Sequence, residues 1–358
     1  KVVSRGDTSE IRTFPGEDLD NNYSMCTVDI CPVGALTSRD FRFKCRVWLL
    51  TSTDSICTGC AKGCNIHLEH FRNEIQRYRP RYNADVNEYW MCDEGRLSYK
   101  EVHDDRVLHP SNDNQKVTWH RVNDAVENRL SRTLDDLGPQ KVGFVLSPQA
   151  SCEDLYLGKR FAEEALETDN FFINGKPDGF EDDLLIEADK NPNRRGIEAV
   201  WGGMDDIQSF DTLMEAIDAG DVEILYMMGT ELPVDDETRE DFKELLDELE
   251  LFVLQTMHAA DLAEHADIVL PACSHAEKRG TFVNIDGLAQ PFKQAFKPHG
   301  ESRPDWRIFL ELAAKMGTGF DYTYLEQIRD DMFEELPDRP EGPVTGEPPT
   351  GDEAIPAE

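Results

Sequence analysis

Residues 55–66 read SICTGCAKGCNI, and after 27 intervening residues beyond the last cysteine of that stretch comes a fourth, within YWMCDEGR at 89–96. The spacing Cys57-x2-Cys60-x3-Cys64-x27-Cys92 places three thiols in one tight loop and leaves the fourth as a remote anchor. Four thiolates so arranged can wrap a 4Fe-4S cubane, and the small residues Gly59 and Gly63 let the loop close around it. Zinc is the competing occupant, because four-cysteine zinc sites also use C-x2-C pairs. Such sites present two short pairs, whereas here a knot of three is completed by one distant thiolate, and this favours iron and sulfide. Around the knot, Ile66 and Leu68 alternate with polar neighbours, and Ile75 and Tyr78 follow a turn at Asn73. The pattern predicts a small antiparallel β hairpin within a cysteine-bearing unit.

Upstream, from Lys1 to about Leu50, the chain is loop-rich and contains VDICPVGAL. Cys31 followed by Pro32 is how the fourth ligand of a ferredoxin-type cluster presents itself, although no C-x2-C-x2-C precedes it in the 358 residues. On the residues alone, Cys31 reads more readily as a buried structural thiol than as a ligand. Cys26, Cys45, Cys152 and Cys273 lack ligand-like spacing and read as small hydrophobes. The chain opens on Lys1 with no recognisable targeting signal, which leads to the expectation that upstream sequence is missing.

Downstream the pattern changes to helices alternating with short apolar strands, the signature of an open α/β layer. Val122, Ala125, Val126, Leu130, Leu134 and Leu137 recur at helical spacing, and KVGFVL at 141–146 reads as a buried strand. Ser151 with Asp154 three residues on predicts a capped helix start. Further strands are expected in VEILYMM (222–228), LFVLQ (251–255) and DIVLP (267–271), with an acidic helix at about 235–249. The Gly-, Asn- and Asp-rich stretch 174–206 is expected to leave the sheet. WRIFLELAAKM, after Asp305, is expected to be the last helix, and the Pro/Gly/Glu-rich tail from about 336 to be disordered.

Composition narrows the partners. With 72 acidic against 37 basic residues, the formal net charge is −35, which would repel nucleic acid and anionic lipid. The acids are spread along the chain, as expected of a surface adapted to high salt. No run approaches the roughly 18 apolar residues of a membrane span, so neither nucleic-acid binding nor membrane insertion is expected and a cytoplasmic location is. The nine cysteines crowd toward the front of the chain, which in a cytosolic protein indicates metal rather than disulfides. The histidines, His67, His70, His258 and His265 among them, show no ligand or catalytic spacing. GTELP, after VEILYMM, lacks the features of a phosphate loop.

CPVGALTSRDFRFK (31–44), SICTGCAKGCNI and YWMCDEGR together resemble the large iron-sulfur subunit of bacterial complex I, the G subunit of NADH-quinone oxidoreductases, over residues 20–110. HADIVLPACSHAEKRGTFVNIDG (265–287) and ESRPDW (301–306) are more loosely similar to the molybdopterin oxidoreductase fold that this family shares with formate dehydrogenases. The resemblance implies that Cys57, Cys60, Cys64 and Cys92 hold an additional 4Fe-4S cluster lying off the direct electron route. It implies that Cys31 is the last ligand of a second 4Fe-4S cluster on the main path, its other ligands lying upstream.

The expected fold class is α/β. A ferredoxin-like remnant (1–50) precedes a small β-rich 4Fe-4S domain (51–110), a degenerate, doubly wound molybdopterin-oxidoreductase-like domain (117–335) and a tail (336–358). Molybdopterin itself is not expected. Formate dehydrogenases carry a lysine two residues after the last cluster cysteine, where this chain has Glu94. No cysteine stands where a molybdenum ligand would.

The implied function is electron transfer from NADH oxidation toward quinone, with no catalytic side chain in this chain. Its expected partners are the other subunits of the complex I peripheral arm, including the NADH-oxidising flavoprotein subunit, on the cytoplasmic face of the inner membrane. The alternatives are a molybdopterin-dependent formate dehydrogenase or NAD-linked hydrogenase subunit, and a zinc-stabilised assembly module without redox function.

Overall fold

A computed structural model describes residues 2–5, 7–259 and 261–335; the expected tail at 336–358 lies outside the described residues. The first 50 residues hold a hairpin, β1 (Val2–Arg5) with β2 (Thr8–Ile11), and a short helix α1 (Cys26–Ile30). The hairpin was not foreseen, since four-residue strands leave little periodicity to read.

Next come β3 (Thr51–Ile56), β4 (Asn65–Phe71) and β5 (Glu74–Pro80), which form one antiparallel sheet. The expected hairpin is β4–β5, turning at Arg72 and Asn73, both with positive φ. β3 was missed because TSTDSI is polar and its first four residues are exposed or half-buried. A five-residue helix α2 (Asp93–Leu97) closes this unit.

The remainder is layered. β6 (Ser111–Asn112), β7 (Gln115–Lys116), α3 (Trp119–Leu137), β8 (Val142–Leu146), α4 (Cys152–Glu164), β9 (Phe171–Ile173), α5 (Arg194–Trp201), β10 (Ile207–Gln208) and α6 (Phe210–Asp218) are followed by β11 (Ile224–Met228), α7 (Asp236–Leu246), β12 (Leu251–Thr256) and β13 (Ile268–Pro271). The strands form one sheet in the order β10-β9-β8-β11-β12-β13-β6-β7, parallel from β10 to β13. Alternate residues face opposite sides, as the two-residue period of a strand requires. Phe144, Tyr226 and Val253 join the core under α3 and α4, while Val145, Leu225 and Leu254 join the core under α6 and α7. The sheet is therefore doubly wound, and its strand order reverses between β8 and β11. In open α/β sheets the crevice beyond the strand C-termini at that reversal is the usual ligand position.

Ser151 caps α4 with the expected capping box: its hydroxyl accepts the Asp154 amide, and Asp154 reaches back to the Ser151 amide at 3.0 Å. A further hairpin, β14 (Gly280–Val283) with β15 (Ala289–Phe292), joins the two units. Its Phe282 and Phe292 pack with Ile56 at the end of β3. The helix α8 (Asp305–Lys315) is not the last. α9 (Leu325–Glu335) follows and buries Leu325, Ile328, Met332 and Phe333 in the same core.

Candidate iron-sulfur centre

β3 and β4 pair as far as Ile56 and Asn65, so the residues that follow and precede them, Cys57 and Cys64, are forced together. The Cys57 amide donates to the Cys64 carbonyl at 2.8 Å, which closes the loop, and Cys60 stands at its tip. Gly63 takes φ of +60°, and a Cβ there would meet the Gln290 side chain at 2.8 Å. Cys92 arrives from the other side as the N-cap of α2, where its sulfur accepts the Gly95 amide at 3.2 Å. All four thiols are buried and line one cavity, together with Gly59, Gly63, Met91, Gly95, Leu185 and Ile186. A Cβ on Gly95 would stand 3.0 Å from the Cys57 sulfur and 3.2 Å from that of Cys92, so the wall there must be glycine. Among the described residues, no three His, Cys, Asp or Glu side chains close on one point as ligands of a single ion do. The four sulfurs surround a shared space instead.

Burial raises the pKa of every one of these thiols. Cys57 and Cys64 are pushed up further by the neighbouring sulfurs, and Cys92 is pushed up to about 11. Backbone amides work the other way: Gly59 on Cys57, Glu187 and Lys62 on Cys60, and Gly95 on Cys92. Ionising such a set requires a compensating positive charge inside the ring, which an iron core provides, since a coordinating thiol is deprotonated outright. The donor set thus fits the group that the spacing implies.

The surroundings hold the loop from three directions. The Ala61 amide donates to the Asp189 carbonyl and the Ile285 amide to the Ala61 carbonyl, both at 2.8 Å, while the Gln290 amide group donates to the Gly63 carbonyl at 2.9 Å. Residues 174–206 do leave the sheet, as expected. Where they go was not legible in the sequence, and the structure shows that Leu185, Ile186 and Lys190 from this excursion cover the cavity. Lys190 is 9% exposed and donates to the Phe180 carbonyl at 2.8 Å. It was missed because a lone lysine in a polar stretch carries no spacing signal.

Cys31 stands apart. It follows α1, is half-buried, and the segment after it curls so that the Leu36 amide approaches its sulfur at 3.5 Å. Amide donation from Leu36, and then Val33, holds its thiol below the usual value. The segment before it docks on the helix that carries Cys92: Asp93 accepts the Met25 amide at 3.0 Å, and Arg96 pairs with Asp29. Cys26, Cys152 and Cys273 are buried, as small hydrophobes would be, and Cys45 is half-buried. His70 is a core residue, with both ring nitrogens unpartnered.

Three family descriptions match successive parts of the chain. Residues 1–37 match the ferredoxin-like domain of NADH-quinone oxidoreductase subunit 3, 50–100 the NDSU1/NuoG-like 4Fe-4S domain of NADH-ubiquinone oxidoreductase, and 198–315 molybdopterin oxidoreductase. Among curated proteins, the mitochondrial 78 kDa subunit of NADH-ubiquinone oxidoreductase from Candida albicans is 24% identical, over 92% of this chain and 61% of its own length. The G subunit of NADH-quinone oxidoreductase from Rickettsia bellii is 22% identical, over 94% of this chain and 65% of its own. The chain is a homologue of these NADH-quinone oxidoreductase G subunits.

The corresponding G subunit from Streptomyces coelicolor is 29% identical over 52% of this chain and 22% of its own length. The chain spans less than two thirds of the length of the curated relatives it matches. Acetylene hydratase from Pelobacter acetylenicus shares the fold at a TM-score of 0.50 and 10% identity, covering 74% of this chain and 69% of that one. Among the described residues no helix is long and apolar enough to cross a membrane.

Proposed function

We propose that this chain is an electron-transfer iron-sulfur subunit of a respiratory NADH:quinone oxidoreductase, carrying electrons from NADH oxidation toward quinone. One observation carries the reading: four cysteines, two at paired strand ends, one at the loop tip and one at a helix cap, line a single buried cavity walled by glycine. A 4Fe-4S cluster held by Cys57, Cys60, Cys64 and Cys92 would supply a one-electron couple there. The chain's own part is to fix the four sulfurs, exclude water with Met91, Leu185 and Ile186, and aim backbone amides at sulfur, all of which tune a potential. Cys31, which lies in the stretch matched by the ferredoxin-like domain, contributes one thiolate to a second cluster. In this role the partners are the other subunits of the peripheral arm, the NADH-oxidising flavoprotein among them, at the cytoplasmic face of the inner membrane.

The crevice at the end of β8 and β11 supports a scaffold role for the α/β unit. Glu231 accepts the Thr230 amide at 3.2 Å, the strand-end donor that a phosphate would use. Lys278 is buried between Asp154 and Asp305, at 2.7 and 2.5 Å, and Lys176 pairs with Glu101 at 2.7 Å. With its amide and its lysines already committed to internal carboxylates, the crevice has little to offer an anionic pterin dinucleotide. Elemental analysis for molybdenum and tungsten checks this: neither metal is expected, and stoichiometric amounts of either would reassign the chain to the formate dehydrogenase class.

Replacing Cys60 by Ala tests the off-path placement. The assembled complex is expected to keep quinone reduction while losing the cluster's paramagnetic signal. Abolished turnover in a stably assembled complex would place the cluster on the main route.

A further inference from the structure

The geometry points to Lys190 as the charge that sets the reduction potential of the cluster held by Cys57, Cys60, Cys64 and Cys92, with Glu94 as its opposing partner. This inference rests on the iron-sulfur reading of that cavity.

Lys190 lines the same cavity as the four thiols, although it belongs to the excursion between β9 and α5. Its stem is enclosed: it packs against Gly179, where a Cβ would overlap its Cε and make the lysine shift. The ammonium is tied to the Phe180 carbonyl at 2.8 Å and lies 3.8 Å from the Glu94 carboxylate. A carbonyl leaves the positive charge intact. Glu94 is largely exposed, with 59% of its side chain open to water, so it offsets that charge weakly. Lys190 is thus a buried, anchored cation lining the same cavity as the four sulfurs, and its charge acts there with less screening than that of an exposed lysine.

Adding an electron to a cluster makes it more negative. A fixed positive charge beside it stabilises the reduced form and raises the potential, and the Glu94 carboxylate two residues after Cys92 lowers it. Lys190 does not ligate iron. It is a positioning residue that acts through the field at the cluster, and the lysine is supplied from a segment far from the cysteine motif in sequence.

The experiment is a dithionite titration of the reconstituted full chain, with the midpoint read from the reduced cluster's paramagnetic signal. Lys190→Met, Lys190→Arg and Glu94→Gln are compared with the parent. Lys190→Met is expected to weaken reduction at least tenfold, a fall of about 59 mV for one electron. Lys190→Arg should stay near the parent, and Glu94→Gln should shift the midpoint upward.

A loaded Lys190→Met chain with the parent's midpoint would overturn the assignment. If Lys190→Met fails to take up iron, Lys190→Gln, which removes the charge while keeping a polar end to the side chain, decides in its place. A lowered midpoint supports the role and an unchanged midpoint refutes it. A parent chain that binds no iron would instead refute the cluster reading itself.

Discussion

Gly95 shows how much of the site depends on an absent side chain. The Cys57 and Cys92 sulfurs would lie 3.0 and 3.2 Å from a methyl at that position, and neither can retreat while serving as a ligand. Gly95→Ala is therefore expected to lower bound iron and sulfide per chain and to cost about 1–3 kcal/mol of folding stability by overpacking. Iron analysis beside urea denaturation checks both effects; parent-like loading would mean that the sulfurs are not held where this wall places them.

His275 offers a pH test at the same scale. Burial, and secondarily the nearby Lys278, hold its pKa down at about 4, while the unfolded chain titrates near 6.5. Between those values the unfolded state binds a proton that the native state refuses, so stability falls as pH drops through the window and is unaffected above it. Between pH 7 and 5 the parent is expected to lose about 2 kcal/mol more than His275→Gln in urea denaturation. Equal losses would place the acid sensitivity elsewhere.

Among the elements, α4 and α8 are joined at their N-termini by one ion triad. Lys278 reaches both Asp154, in the first turn of α4, and Asp305, which opens α8, and all three are buried. Asp305 is satisfied further by Gln255 at 2.8 Å, which accepts from the Tyr226 hydroxyl at 2.6 Å in the sheet core. Removing one member of a buried set leaves uncompensated charge, so Lys278→Met should cost about 3–5 kcal/mol, measured by denaturant unfolding. A neutral result would mean that the two carboxylates take up protons at little cost.

What could be read from sequence divides along physical lines. That Cys57, Cys60, Cys64 and Cys92 share one cavity was legible from their spacing, and β8, β11, β12 and β13 were legible because strands buried on both faces are unbroken apolar runs. The Ser151–Asp154 cap was legible as a three-residue spacing. β3 was not, since its outer half is polar, and α9 was passed over although Leu325, Ile328, Met332 and Phe333 keep helical spacing. Lys190, Lys278 and Glu231 could not be read at all. Their roles depend on which distant segment folds over them, and no periodicity encodes that.

At the scale of the whole molecule, a net charge of −35 sets a self-repulsion that the fold must withstand. Screening shortens its range from roughly 10 Å at 0.1 M salt to about 3 Å at 1 M. The melting temperature is therefore expected to climb as KCl is raised from dilute to molar concentration. A maximum in dilute buffer would refute a salt-adapted surface.

Both units serve the same cavity. The small sheet presents three of its sulfurs, the helix after it presents the fourth, and the excursion from the large sheet covers all of them. Iron and acid-labile sulfide in the anaerobically reconstituted chain, read with its visible absorbance, test this directly. The expected result is a brown protein with about four iron and four sulfide per chain, reduced to a paramagnetic state and lost when Cys57 or Cys92 is replaced by Ser. A colourless, iron-free protein, or one holding a single zinc on the same four cysteines, would contradict it.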